Sequence, residues 1–203
     1  MLRLPVTIRV PLPAEMPHRT DIEELLEKRK NANIVEGYTM RANETRQLPF
    51  SFYGEININN SRLWDLFMAL SELFPKEICC SYGLNKDEAV TTGYFPKTEL
   101  LKVLLDYREE LTQDCFLEFG ILYNARHELI EIFVSESKYI RYWGSDRNSF
   151  LQCMKEFGLS EIPRLAFVDD YPKIVEPLKK FFPAARRPED VVRGLDKAFH
   201  IQR

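Results

Sequence analysis

The chain has 203 residues, 45% of them hydrophobic and 29% charged, with a formal net charge of -3 at pH 7. That is ordinary globular composition, long enough for one sizeable core without disulfide or metal support. It excludes the collagen, coiled-coil, disordered and membrane-spanning classes, and the slight acidity argues against bulk electrostatic binding of nucleic acid.

Leu4, Val6, Ile8 and Val10 alternate with Pro5, Thr7 and Arg9, which predicts a first strand with Pro5 at its start or on an edge. Pro11, Pro13 and Pro17 read as an extended linker. Thr20-Asp21-Ile22-Glu23 is a capping box that opens a short helix to about Lys30. Residues 31–47 are polar and read as loop or weak strand. Phe50, Phe52, Ile56 and Ile58 keep one strand parity through Gly54. Ser61 is placed to cap a mostly buried helix that Pro75 ends. Residues 78–82 and 90–95 read as two strands around the polar turn 85–88. Thr98 is placed to cap the next helix, whose apolar positions run through Tyr107 and Leu111.

The densest strand signal is 116–143, read as a three-stranded antiparallel meander. Pairing Leu117, Phe119 and Ile121 with Val134, Ile132 and Ile130 gives one strongly apolar face and a first loop at 124–127. A second hairpin around 135–137 sets Ile132 opposite Ile140. The other face then carries Glu118, Glu131, Phe133, Tyr139, Arg141 and Trp143, with Glu131 opposite Arg141 and Glu118 on the diagonal. Ser145 or Asp146 caps another helix, for which Gly158 supplies a left-handed end. Residues 165–168 read as a short strand ending at Asp169-Asp170-Tyr171-Pro172. A short helix is expected between Pro172 and Pro183, and a last one from Pro188. Strands and helices do not alternate strictly. The expectation is therefore an α+β fold, a mainly antiparallel sheet with helices packed on one face. Residues 1–203 form a single domain in this reading, with 1–47 as a peripheral strand, linker and helix.

The chemistry is searched against this frame. The four cysteines, Cys79, Cys80, Cys115 and Cys153, form no C-x-x-C pair and read as reduced, buried thiols of a cytoplasmic protein. Arg3, Arg9 and repeated prolines make the N-terminus unlike a signal peptide. No glycine-rich phosphate loop and no nucleophile elbow occur. His18, His127 and His200 lie far apart, so the sequence implies neither a metal nor an organic cofactor. Glu118 and Glu131 are one candidate carboxylate pair, of the kind acid–base chemistry uses. Asp169 and Asp170 are another, although adjacent residues of an extended chain diverge and Asp-Asp-Tyr-Pro reads first as a turn. Phe133, Tyr139, Arg141 and Trp143 suit the core of a protein interface. Residues 106–136 carry eight acids against Arg108 and Arg126, while the last 25 residues are basic, which suggests charged partners.

The stretch from about Ile58 to Pro172 resembles the immunity-type proteins encoded beside bacterial polymorphic toxins. The residues that carry it are Glu131-Ile-Phe-Val-Ser-Glu-Ser-Lys138-Tyr-Ile-Arg-Tyr-Trp143 and Phe167-Val-Asp-Asp-Tyr-Pro172. The resemblance implies a non-catalytic cytoplasmic protein that blocks a toxin, often through an acidic surface. The expected partner is a basic protein bound through Glu118, Glu131, Tyr139, Arg141, Trp143, Asp169 and Asp170. A small enzyme or ligand-binding domain with those carboxylates in a pocket remains the alternative.

Overall fold

The computed structural model describes residues 2–16, 20–45, 47–85 and 87–202. Pro17, His18, Lys86 and the Thr20 side chain, on which the capping box rests, lie outside the described part. The strands are β1 (Ile8–Arg9), β2 (Gly37–Ala42), β3 (Phe52–Asn57), β4 (Glu77–Leu84), β5 (Val90–Thr91), β6 (Phe95–Pro96), β7 (Leu117–Ala125), β8 (Glu128–Val134), β9 (Ile140–Gly144) and β10 (Ile174–Val175). The helices are α1 (Thr20–Lys30), α2 (Asn60–Ser71), α3 (Lys97–Leu105), α4 (Arg108–Gln113), α5 (Arg147–Glu156) and α6 (Pro188–Ala198). Eight strands make one antiparallel sheet in the order β2-β3-β9-β8-β7-β4-β5, with β6 also on β4. β1 and β10 form a separate two-stranded ribbon. The fold is α+β with a mainly antiparallel sheet.

Side-chain alternation divides the sheet into two unlike faces. Ile56, Ile140, Tyr142, Ile132, Phe119, Ile121, Cys80 and Tyr82 share the inner face and are all buried. α2, α5 and the end of α6 pack there. Trp64 and Phe67 of α2 lie against Phe119, with ring centroids 6.3 and 5.0 Å away. Phe150 of α5 sits between Phe52 at 5.1 Å and Tyr142 at 4.9 Å. Phe199, just past α6, reaches Tyr82 at 6.0 Å. On the outer face Tyr53, Glu55, Leu122, Glu131, Phe133, Arg141 and Trp143 are each partly exposed.

The meander has the expected faces but a different register. Ile121 pairs with Ile132, and Ile132 with Tyr142, so both hairpins are shifted by two residues. The first loop is Arg126-His127, because Ala125 still pairs with Glu128. Two-residue loops are the commonest hairpin connection. Glu131 is therefore opposite Trp143 and Leu122, and Arg141 is opposite Phe133 and Glu55. The expected pairing of Glu131 with Arg141 is corrected. So is the neighbour relation of Glu118 and Glu131. Glu118 lies four residues along β7 from the residue opposite Glu131, about 14 Å at strand rise.

Several boundaries also differ for local reasons. The first strand contracts to Ile8–Arg9. The N-cap of α2 is Asn59, two residues before the expected cap Ser61, and its side chain does not cap the helix, because the Asn59 Oδ1 is taken by the Arg3 N–H at 2.7 Å. Pro96 precedes α3, which places Thr98 inside the first turn. The helix expected to run through Tyr107 breaks there into α3 and α4. Residues 165–168 form no strand; an extended Phe167 leads into a 3-10 turn at Val168–Asp170. The expected helix between Pro172 and Pro183 is instead β10 and a 3-10 turn at Leu178–Lys180. Two features match: Asp146 accepts the Ser149 N–H at 3.0 Å to cap α5, and Gly158 ends it at φ +66°.

Candidate interaction surface

The outer face is built from cross-strand rows. Tyr53, Trp143, Glu131, Leu122 and Cys79 run across β3, β9, β8, β7 and β4. Glu55, Arg141, Phe133, Gly120 and Ser81 form the next row. Gly120 is fixed by the close approach of β8: a Cβ there would lie 2.4 Å from the Ile132 carbonyl oxygen.

Tyr53 and Trp143 pack with ring centroids 4.9 Å apart. Beside them opens a shallow groove of about 770 Å³ lined by Arg41, Asn43, Glu44, Phe50, Tyr53 and Trp143. Burial and a hydrogen bond to Glu55 push the Tyr53 phenol up. Arg141 lies over the Tyr139 ring at 5.1 Å, and its Nε donates to the Tyr139 hydroxyl at 3.0 Å. Tyr139 itself is only 5% exposed and packs on Phe167 at 4.7 Å. It holds Arg141 in place and cannot insert into a partner.

Glu131 is half-buried among Trp143, Leu122 and Phe133, with no hydrogen-bond or ion-pair partner among the described residues. Burial pushes its carboxyl up. An ionised carboxylate held without a partner beside apolar groups is costly, and a cation brought to it relieves that cost.

Glu118 belongs to a second cluster at the end of the sheet. Burial and pairing with the Glu136 carboxyl push it up to about 6. Beneath lies Lys138, 3% exposed, whose Nζ donates to the Leu117 carbonyl at 2.6 Å. Lys138 has φ +62° in the turn between β8 and β9, which turns its side chain inward. Burial lowers its ammonium, while Cys115, Asp114, Glu118 and Glu136 oppose that. Asp169 accepts from the Ser137 hydroxyl and from Lys173, and Lys173 also meets Glu136 at 3.6 Å. Asp170 accepts the Phe167 N–H at 3.0 Å and so closes its own turn.

Of the seven expected site residues, Glu131, Arg141 and Trp143 lie together on the open face. Glu118 and Asp169 belong to the end cluster, Tyr139 is packed between the two regions, and Asp170 serves the turn. The acidic segment is not one surface. Glu110 is buried under Arg186 at 3.2 Å, and Asp114 is buried with Oδ1 on the Phe116 N–H. The basic end of the chain is partly consumed in the same way. Arg186 lies over Tyr107 at 4.8 Å, and Arg187 and Arg193 both meet Asp190.

Sequence reasoning missed Tyr53, Arg41 and Lys138. Tyr53 was within reach, because it has the opposite parity to Phe52 and Ile56. Lys138 has no such signal, since its burial follows from a turn conformation. Among the described residues no group of three His, Cys, Asp or Glu side chains converges as metal ligands do. Among them too, no helix is long and apolar enough to cross a membrane. Comparison with known proteins finds no matching family model, no matching curated protein and no matching solved structure.

Proposed function

We propose that this chain is a non-catalytic protein-binding domain, an immunity-type inhibitor that covers a basic toxin with the outer face of its sheet. The observation that carries this reading is Glu131, a half-buried carboxylate without a partner among the described residues, framed by Trp143 and Leu122 on an open face. A lysine or arginine of the partner supplies the missing cation. Trp143 and Tyr53 supply the aromatic anchors, and tightly held aromatics and arginine dominate binding energy at such surfaces. The separation of Glu118 from Glu131 weighs against the enzyme alternative, because acid–base catalysis needs its carboxylates to converge on one bond. Four free, buried thiols suit a reducing cytoplasm.

Photo-crosslinking from the source cell tests the proposal. Benzoylphenylalanine is placed at position 143 and, as control, at exposed Leu105. The expected result is one basic protein crosslinked from 143 alone, with binding by the purified pair weakened in the Glu131→Gln variant. Equal crosslinking from both positions, or a crosslinked protein whose affinity ignores Glu131→Gln, overturns it.

A further inference from the structure

We propose that the free edge of β2 takes up an extended segment of another protein as an added strand, with a carboxylate side chain of that segment over Arg41. This goes beyond the reading of the outer face: it rests on the β2 main chain and Arg41, and shares with that reading only the groove beside Tyr53 and Trp143.

The bonding geometry of β2 follows from its neighbours. The Asn43 N–H donates to the Ser51 carbonyl at 2.9 Å, so odd-numbered residues of β2 direct their main-chain groups at β3, and even-numbered residues direct theirs outward. Tyr38 shows the outward direction. Its N–H donates to the Ser160 carbonyl at 3.1 Å, and its carbonyl accepts the Ile162 N–H at 2.8 Å, a parallel bridge. That stub stops at Ile162, whose carbonyl would meet the Met40 N–H next but instead accepts the Leu165 N–H at 3.1 Å. Met40 and Ala42 come next with the same outward direction. Neither has an outward backbone partner among the described residues. The edge is thus half used and half vacant.

Two grooves flank the vacant half. The outer one is the groove of Arg41, Tyr53 and Trp143. The inner one, of about 260 Å³, is lined by Met40, Phe52, Arg147 and Glu161, and Ala42 borders both. A strand laid along β2 sends alternate side chains into these two grooves. That is how added strands are recognised: main-chain bonds hold the segment, and pockets on the two faces choose its side chains. Arg41 is exposed with no ion-pair partner among the described residues, and it faces the outward side chain directly. It selects a carboxylate there. A second copy of this chain does not fit. Pairing two β2 edges through Met40 and Ala42 centres the contact on Arg41 and sets it against its own copy, and like charges directly opposite are unfavourable.

The test uses a capped heptapeptide of alternating valine and threonine with a central glutamate, titrated into the full chain and followed by amide resonances. Expected are saturable shifts and slowed exchange at the Met40 and Ala42 amides. A central lysine weakens binding about threefold, the effect of one cross-strand ion pair, and Arg41→Glu reverses that preference. Backbone N-methylation of the peptide abolishes binding. Ala42→Pro also abolishes it, because it removes an outward N–H that β3 does not use. The absence of saturable shifts up to about 5 mM, weaker than any useful affinity, overturns the proposal. So does equal binding of the N-methylated peptide, which also decides the matter should Ala42→Pro fail to fold. Neither result touches the outer-face reading, which is judged by Glu131→Gln.

Discussion

Single carboxylates report how this surface is built. Glu131 has no hydrogen-bond or ion-pair partner among the described residues, and burial is what pushes its carboxyl up, so its charge costs desolvation in the free protein. Glu131→Gln should therefore leave the melting temperature unchanged or raise it slightly; a clear fall would show that the carboxylate serves the fold. Glu118 behaves differently with pH. The folded chain holds its proton up to about 6, above the ordinary 4.5 of a free glutamate. The protonated form thus contributes stability that is complete below 4.5 and is lost as pH rises through 6. Glu118→Gln stays neutral throughout. Its melting temperature should gain on the parent chain across that window and hold a constant lead above it. Melts over a pH series decide this, and a difference that does not vary with pH counts against it. Lys138 is the buried cation of the same cluster. Removing it in Lys138→Ala takes a buried cation from beside Asp114 and Glu118, leaves Glu136 with Lys173, strips the Leu117 carbonyl of its donor and should cost about 1–3 kcal/mol by denaturant unfolding.

Among the elements, β7 and β8 show what a sequence can and cannot specify. The alternation of Phe119, Ile121, Ile130 and Ile132 predicts the faces correctly, because a slip of one residue would expose the whole apolar set. A slip of two preserves every face, so periodicity is silent about it. The choice falls to the loop, and Arg126-His127 closes the tighter hairpin. The same shift separates Glu118 from Glu131 and removes Arg141 from Glu131, so the most detailed part of the expected site fails while the face carrying it stands. β2 was legible only as a weak strand, since Gly37, Thr39 and Arg41 carry little apolar signal and its pairing with β3 supplies what the side chains do not. Gly120 was equally silent, its role being contact with a neighbouring strand. Gly120→Ala should force β8 away from β7 and cost about 1–3 kcal/mol, measured by urea unfolding. Phe150→Ala empties the space between α5 and the sheet and should cost about 3–5 kcal/mol.

For the molecule as a whole, the acidic middle and basic end of the sequence are partly spent on each other. Arg186 on Glu110 ties the turn before α6 to α4, so neither segment is free to act as a single charged surface. What is left for a partner is local: Glu131 and Glu55 with the Tyr53 and Trp143 rings. Association with a basic partner should slow with added salt only modestly, because few charges take part and each is screened within about 8–10 Å. Trp143→Ala should act on the lifetime of the complex instead, beside a partial loss of stability from the lost packing on Tyr53, because the ring is only partly exposed. Stopped-flow association over a salt series, beside a melt of the variant, separates these effects. A Trp143→Ala chain that simply unfolds would place that ring in the core.

The strand order has a kinetic consequence. β7, β8 and β9 are joined by short turns and pair with their chain neighbours, whereas β3 reaches β9 only across most of the intervening chain. Closing so long a loop is entropically slow, and local hairpins form ahead of it. The β2–β3 hairpin should therefore be the last part of the sheet to dock during refolding and the first to open in the native protein. Pulse-labelled hydrogen exchange should show amides of Thr39 and Glu55 protected later than those of Ile121 and Ile132. If so, the edge that would receive an added strand sits on the least cooperative unit of the fold, and occupying it would slow unfolding of the entire chain.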